Sequence, residues 1–343
     1  MTEALRARPG PGAGFGLRPL AAGDLGAVAA IDATLSGRPR RAYFERRLAA
    51  ALRQPDLHLQ FAAEEQGAVC GYALARVLEG EFGRTQPALR LEVIGVTPDA
   101  QGRGIGRALH AALEQRAAKR AIRELRSAAS WRDHGMLRFM AGVGYALADH
   151  LVLDCAVRPG HYGAAEERAV DSPARAKPGD PNDYSAPAPN DFEALARDTA
   201  DVRSLALADL DDLVRIDRHF TGRERRGYMQ KALDEALTDS AIRISLSARR
   251  EGVLAGYLMA RADFGDYGRT EPAAVIDTLG VDPLYARQGL GRALLSQLFI
   301  NLCALRIERV ETEVAKDNFA LLAFFYDAGF APAQRLAFVK RLT

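Results

Sequence analysis

The chain has 343 residues, with 46 Lys and Arg against 44 Asp and Glu, a formal charge of +2, and 48% apolar residues. That length suits two domains with full cores, and the balanced charge lacks the basic surplus expected of a nucleic-acid binder. No apolar run reaches the roughly 18 residues a membrane span needs. Cys70, Cys155 and Cys303 are too far apart for a metal or redox motif, which fits a reducing cytoplasm.

Residues 1–16 lack the apolar stretch of a signal peptide and read as a flexible lead-in. Leu25, Val28, Ile31 and Leu35 then fall on one helical face, and a second helix over Arg41–Arg53 follows "GRPRRAY". Three strands come next, "LHLQFAA", "AVCGYALARVL" and "LRLEVIGV", and then a glycine-rich loop opening a long helix. A strand ("ELRSAAS"), a short helix ending at Gly144-Tyr145 and a last strand complete the unit. Residues 158–199 are rich in Pro, Ala, Gly and Asp and read as a linker.

The same order is then written again, 185 positions later. "IDATLSGRPRRAYF" from Ile31 matches "IDRHFTGRERRGYM" from Ile216, and "GVTPDAQGRGIGRAL" from Gly95 matches "GVDPLYARQGLGRAL" from Gly280. Two long units are a duplicated globular domain rather than a solenoid. The expected organisation is therefore a domain over 17–157, a linker over 158–199 and a second domain over 200–343. Each domain is an α/β unit with a mixed, mostly antiparallel sheet flanked by helices.

The segment Gln101-Gly102-Arg103-Gly104-Ile105-Gly106-Arg107 follows a strand and opens a helix, the arrangement of an anion cradle. Free backbone N–H groups and the helix dipole attract phosphate, and glycines let it approach. A dinucleotide fold would need GxGxxG after the first strand and a P-loop would need GK[ST]; neither is present. The loop, its place after a strand meander and the Gly-aromatic near each end resemble the GNAT N-acetyltransferase superfamily, over both copies. That resemblance implies two tandem GNAT domains forming an intramolecular pseudo-dimer, with a homodimer of chains left open.

The resemblance also implies acetyl-CoA as cofactor, with its pyrophosphate on Gln101 to Arg107 and its pantetheine along Ile94, Gly95 and Val96. In the second copy the equivalents are Arg287, Gln288, Gly289, Leu290, Gly291 and Arg292, with Leu279, Gly280 and Val281; Asn318 joins the cofactor set. Ala286 stands where Gln101 stands in the first copy. The family's general acid, a tyrosine in the short helix after the fifth strand, matches Tyr326; the first copy has Ala141 there, with Asp133 and His134 as nearby substitutes. Glu92 and Asp277, on the strand before each loop, match the family's proton-accepting carboxylate, with Asp263 and Glu271 as fallback candidates.

The loops "GRPRRAY" and "GRERRGY" overhang the acceptor pocket in that fold. Arg38, Arg40, Arg223 and Arg225, with Tyr228, are candidate acceptor-binding residues, since guanidinium groups clamp carboxylate or phosphate. Asp32 and Asp217 could equally neutralise them. Arg84 and Arg269 either line the pocket or lock a turn. The six histidines have no metal-like spacing, so no metal is expected. The implied activity is acetyl transfer to a primary amine, small or peptidic, by the second copy, with the first binding cofactor or serving as regulator. The alternative is an acyl-CoA-binding sensor without turnover.

Overall fold

The computed structural model describes residues 14–158, 200–238, 244–263 and 273–342. Most of the predicted lead-in and linker, together with Arg269 and Glu271, lie outside them. The first copy runs β1 (Gly16–Pro19), α1 (Leu25–Ser36), α2 (Arg41–Arg53), β2 (His58–Glu65), β3 (Ala68–Leu78) and β4 (Ala88–Val96). It continues with α3 (Ile105–Lys119), β5 (Glu124–Ser130), α4 (His134–Gly142), β6 (Ala146–Leu147) and β7 (His150–Ala156). The second repeats the order as β8 (Asp201–Ser204), α5 (Leu210–Thr221), α6 (Arg226–Thr238), β9 (Leu246–Arg250), β10 (Val253–Asp263) and β11 (Ala273–Val281). It ends with α7 (Leu290–Ala304), β12 (Arg309–Ala315), α8 (Phe319–Asp327), β13 (Ala331–Pro332) and β14 (Arg335–Arg341).

Local chemistry sets the helix ends. The carboxylates of Asp24 and Asp209 accept from the amides of Ala21 and Ala206, at 2.8 and 2.9 Å, just before α1 and α5. Both helices stop at a glycine in the left-handed region, Gly37 (φ 72°) and Gly222 (φ 66°). Of the predicted apolar stripe, Val28 and Ile31 are buried, but the fourth member is exposed in each copy, Leu35 by 43% and Phe220 by 59%. Both sit at the last turn, and Leu35 still lies over β4, where a Cβ on Gly95 would stand 3.1 Å from its Cδ1.

Each sheet has seven strands, and the two sheets exchange a strand. The orders are β1-β2-β3-β4-β5-β14-β6 and β8-β9-β10-β11-β12-β7-β13. The last long strand of the second copy pairs with β5 from Arg335↔Ser130 to Arg341↔Glu124, while that of the first pairs with β12 from His150↔Ala315 to Ala156↔Arg309. Because β7 and β14 hold equivalent places in the repeat, each sheet gains a full antiparallel ladder from either strand, and the exchange ties the copies together. Ala128, Val152 and Ala337 form a small core where the exchanged strands meet.

The helices divide between the two faces. Ile105, Leu109 and Leu113 of α3 are buried in one core with Leu89 and Leu91, and Leu290, Leu294 and Leu298 of α7 repeat this in the second copy. Each such side chain contributes roughly 1.5–3 kcal/mol through burial. The opposite faces carry α1 with α2, and α5 with α6, over Tyr72 and Tyr257.

Candidate active site

Two irregularities open each sheet at the same place. β4 pairs with β5 in parallel only at Leu89↔Leu125 and Arg90↔Arg126, then continues to Val96 paired with β3 but not with β5. β11 pairs with β12 only through Ile276↔Thr312 and continues to Val281 paired with β10 but not with β12. The strands part beyond these points and leave backbone groups free to pair with an extended arm. One or two residues beyond the last of these pairs, each strand bulges. Leu74 faces Val93 but Ala75 faces Leu91, which leaves Glu92 as the extra residue; Met259 faces Thr278 but Ala260 faces Ile276, which leaves Asp277.

The bulge shifts the alternation of side chains. Ala274 and Ile276 point into the α7 core before it, while Leu279 and Val281 do so after it. Asp277 is thereby turned toward α6, and Glu92 toward α2. Gly95 and Gly280 are required by packing, since a Cβ there would lie 2.8 Å from Tyr72 Cε1 and 2.7 Å from Tyr257 Cε1.

Each glycine loop reaches its helix through left-handed turns. Gly102 and Gly104 have φ of 76° and 83°, and a Cβ on either would meet nothing within 4 Å, so the space before the α3 N-terminus is open. In the second copy Gly289 keeps the left-handed turn (φ 82°), and Arg287, at the place of Gly102, adopts φ 60°. Gln101 donates to Val96 O at 3.1 Å and Arg103 to Glu65 at 2.9 Å, whereas Gln288 accepts from Arg250 at 2.5 Å. Ile105 and Leu290 are core residues, Arg107 and Arg292 are exposed on the first helical turn, and Gly106 and Gly291 sit close under the rings of Phe139 and Phe324. Asn318 caps α8, its Oδ1 accepting from Leu321 N at 3.1 Å.

The two candidate bases have different surroundings. Arg47 Nε on α2 lies 2.5 Å from Glu92 Oε2, both side chains are buried, and Arg47 Nη2 also donates to Ala75 O at 3.0 Å. At the place of Arg47 the second copy has Ala232. Asp277 instead meets Arg261 Nε of β10 at 3.0 Å, and its side chain retains 14% exposure. Burial pushes its carboxyl up to about 6 despite Arg261, and the nearby Glu81 adds to the rise. Tyr326, on α8, is 43% exposed.

The arginines of the two loops divide by position. Arg38 and Arg223 are exposed in the turn. Arg40 is buried on Asp32, at 2.8 Å from Nε, with Tyr72 OH 3.2 Å from the same carboxylate. Arg225 Nε likewise donates to Asp217 at 2.8 Å, and its guanidinium lies 4.8 Å over the ring of the buried Tyr228. Arg225 also crosses between copies, donating to Gly80 O at 2.8 Å and Arg84 O at 2.5 Å. Arg84 in turn reaches Glu313 of β12 at 3.1 Å. Arg47, Arg76, Glu81, Glu235 and Arg261 were not picked out by sequence reasoning; the Arg47/Ala232 mismatch at the repeat offset was the available signal.

The acetyltransferase (GNAT) family model matches residues 29–145 and 210–330. An N-alpha-acetyltransferase RimI of Mycobacterium tuberculosis is 39% identical over 97 residues, 28% of this chain and 55% of that protein. A mycothiol acetyltransferase of Clavibacter michiganensis is 33% identical over 112 residues, 33% of this chain and 34% of that protein. The matches thus span about half and a third of those relatives. Among solved structures, a tandem GNAT protein from the clavulanic acid biosynthesis pathway aligns with TM-score 0.58 at 18% identity, over 95% of this chain and 98% of that one. A GNAT-type N-acetyltransferase from Sphaerobacter thermophilus aligns with TM-score 0.55 at 16% identity over 95% of each chain. Among the described residues no helix is long and apolar enough to cross a membrane.

Proposed function

Because the chain belongs to the acetyltransferase (GNAT) family, we propose that it transfers an acetyl group from acetyl-CoA to a primary amine, with the second copy as catalyst and the first as cofactor-binding partner. The observation that carries the choice of copy is the contrast at the bulge. Asp277 is partly open with a carboxyl near 6, while Glu92 is closed off by Arg47 and has Ala141, not a tyrosine, at the matching place on α4.

The residues fit the cofactor. The open space before α3 suits a pyrophosphate, the left-handed turn at Gly289 repeats its backbone before α7, and the parted strands suit an amide-bearing arm. Bound acetyl-CoA supplies a thioester carbonyl and a thiolate leaving group. Asp277 takes the proton of the acceptor ammonium so that the amine nitrogen can form the C–N bond. Tyr326 gives a proton to the sulfur as the C–S bond breaks. Arg40 and Arg225 shape their loops through Asp32 and Asp217, while Arg38 and Arg223 are exposed in the turn. The acceptor is an amine, small or peptidic.

The test is CoA release by the intact chain. Asp277→Asn and Tyr326→Phe each lower kcat/KM by about a hundredfold or more, while calorimetry still detects acetyl-CoA. Unaltered CoA release in both variants would overturn the assignment. Acetyl-CoA binding with no turnover in any form, across a panel of amines, would favour a sensor.

A further inference from the structure

Asp277 does not sit in a pocket built by the second copy alone. The turn between β3 and β4 of the first copy, residues Glu79 to Arg84, lies against α6, β11 and β12 of the second. Its backbone is held there by Arg225, and Lys231 Nζ of α6 meets Glu79 at 2.8 Å. Gly80 lies so close under α6 that a Cβ would stand 2.7 Å from Tyr228 Cδ1. The next residue, Glu81, is only 7% exposed and accepts from Gly80 N at 3.0 Å.

We propose that this turn is a wall of the second copy's acceptor site, and that Glu81 is a positioning residue that acts in trans on Asp277. The proposal rests on the reading of Asp277 as the base. Around Asp277 stand Arg261 on β10, Glu81 on the turn, Arg76 on β3, and Glu235 and Tyr228 on α6. Most of these charges are already engaged. Arg76 donates to Glu235 at 2.6 Å and stands 3.9 Å from Glu81, and Glu313 of β12 is held by Arg84. Glu81 is the carboxylate that the first copy brings to Asp277, and its charge opposes ionisation there. Arg76, also from the first copy, acts the opposite way, so Glu81 is the first-copy group that raises the proton affinity of the base.

The pH profile of kcat/KM in the full chain is the test. Glu81→Gln moves the acidic limb down by about half a pH unit, so at pH 5 the variant keeps roughly threefold more of its own plateau rate. Glu81→Asp keeps the charge and holds the limb near the wild-type position. If Glu81→Gln folds and leaves the limb in place, the proposal falls. Should it not fold, Glu81→Met decides, since it removes the same charge from a side chain of similar length: a limb lowered by about half a pH unit supports the proposal, and an unmoved limb overturns it. Failure of the underlying reading looks different, since Asp277→Asn would then retain both activity and the acidic limb.

Discussion

Arg47 and Glu92 form a buried ion pair at the bulge of the first sheet, with Nε 2.5 Å from Oε2, and the second copy replaces the arginine with Ala232. The pair seals the first bulge from the space above it. A buried pair gives little net stability over an apolar substitute, but removing one member strands a charge. Arg47→Ala is therefore expected to destabilise the chain by about 3–5 kcal/mol. Adding Glu92→Gln should recover part of that loss. Urea denaturation of the single and double variants measures both, and equal losses would show that the stranded carboxylate is not the cause.

The raised carboxyl of Asp277 has two consequences of opposite benefit. For catalysis the base must be ionised, so kcat/KM rises with pH and levels off above about 6. For stability the sign reverses. The folded carboxyl titrates near 6 and the unfolded one near 3.8, so between these values the folded state binds more protons. Stability is then highest below about 3.8 and falls as pH rises through 6, by up to about 3 kcal/mol from this group. Asp277→Asn should flatten that part of the stability–pH curve while lowering kcat/KM by about a hundredfold or more. A curve that keeps its slope between pH 4 and 6 in the variant would reject the buried-base account.

Strand exchange changes how the copies can be separated. Without β14 the first sheet presents the bare edge of β5, and without β7 the second would lose the strand that covers β12. A protease site placed within residues 165–195 should leave both fragments folded and co-eluting after cleavage, separable only in denaturant. Fragments that part in native buffer, each with a cooperative melt, would contradict the role of the exchanged ladders.

The repeat, the element order and the glycine loops were legible because apolar periodicity, turn residues and the fixed offset are local properties. The exchange of β7 and β14 was not, since equivalent strands carry equivalent patterns and either fits either sheet. The bulges at Glu92 and Asp277 were also hidden, because the register depends on the partner strand. The sequence reading raised Asp32 and Asp217 as neutralising partners of the loop arginines, yet nothing in it pointed from Arg225 to Gly80, 145 positions away. Contacts between copies depend on how the copies dock, which no window of residues records.

Gly291 links the cradle to the proposed acid. A Cβ there would lie 3.0 and 3.1 Å from two ring atoms of Phe324, two residues before Tyr326 on α8; in the first copy Gly106 stands 3.2 Å from Phe139 in the same way. Alanine favours a helix over glycine by about 1 kcal/mol, but an aromatic ring has no flexible end with which to yield. Gly291→Ala should displace the Phe324 turn of α8 or the start of α7 by a few tenths of an ångström, and small misplacements of a catalytic group cost up to about a hundredfold in rate. The expected result is a fall in kcat of about tenfold for Gly291→Ala, with turnover in Gly106→Ala close to that of the parent, since the first copy has Ala141 at the acid position. Steady-state kinetics on the two variants decides the matter: equal losses would mean that both copies turn over.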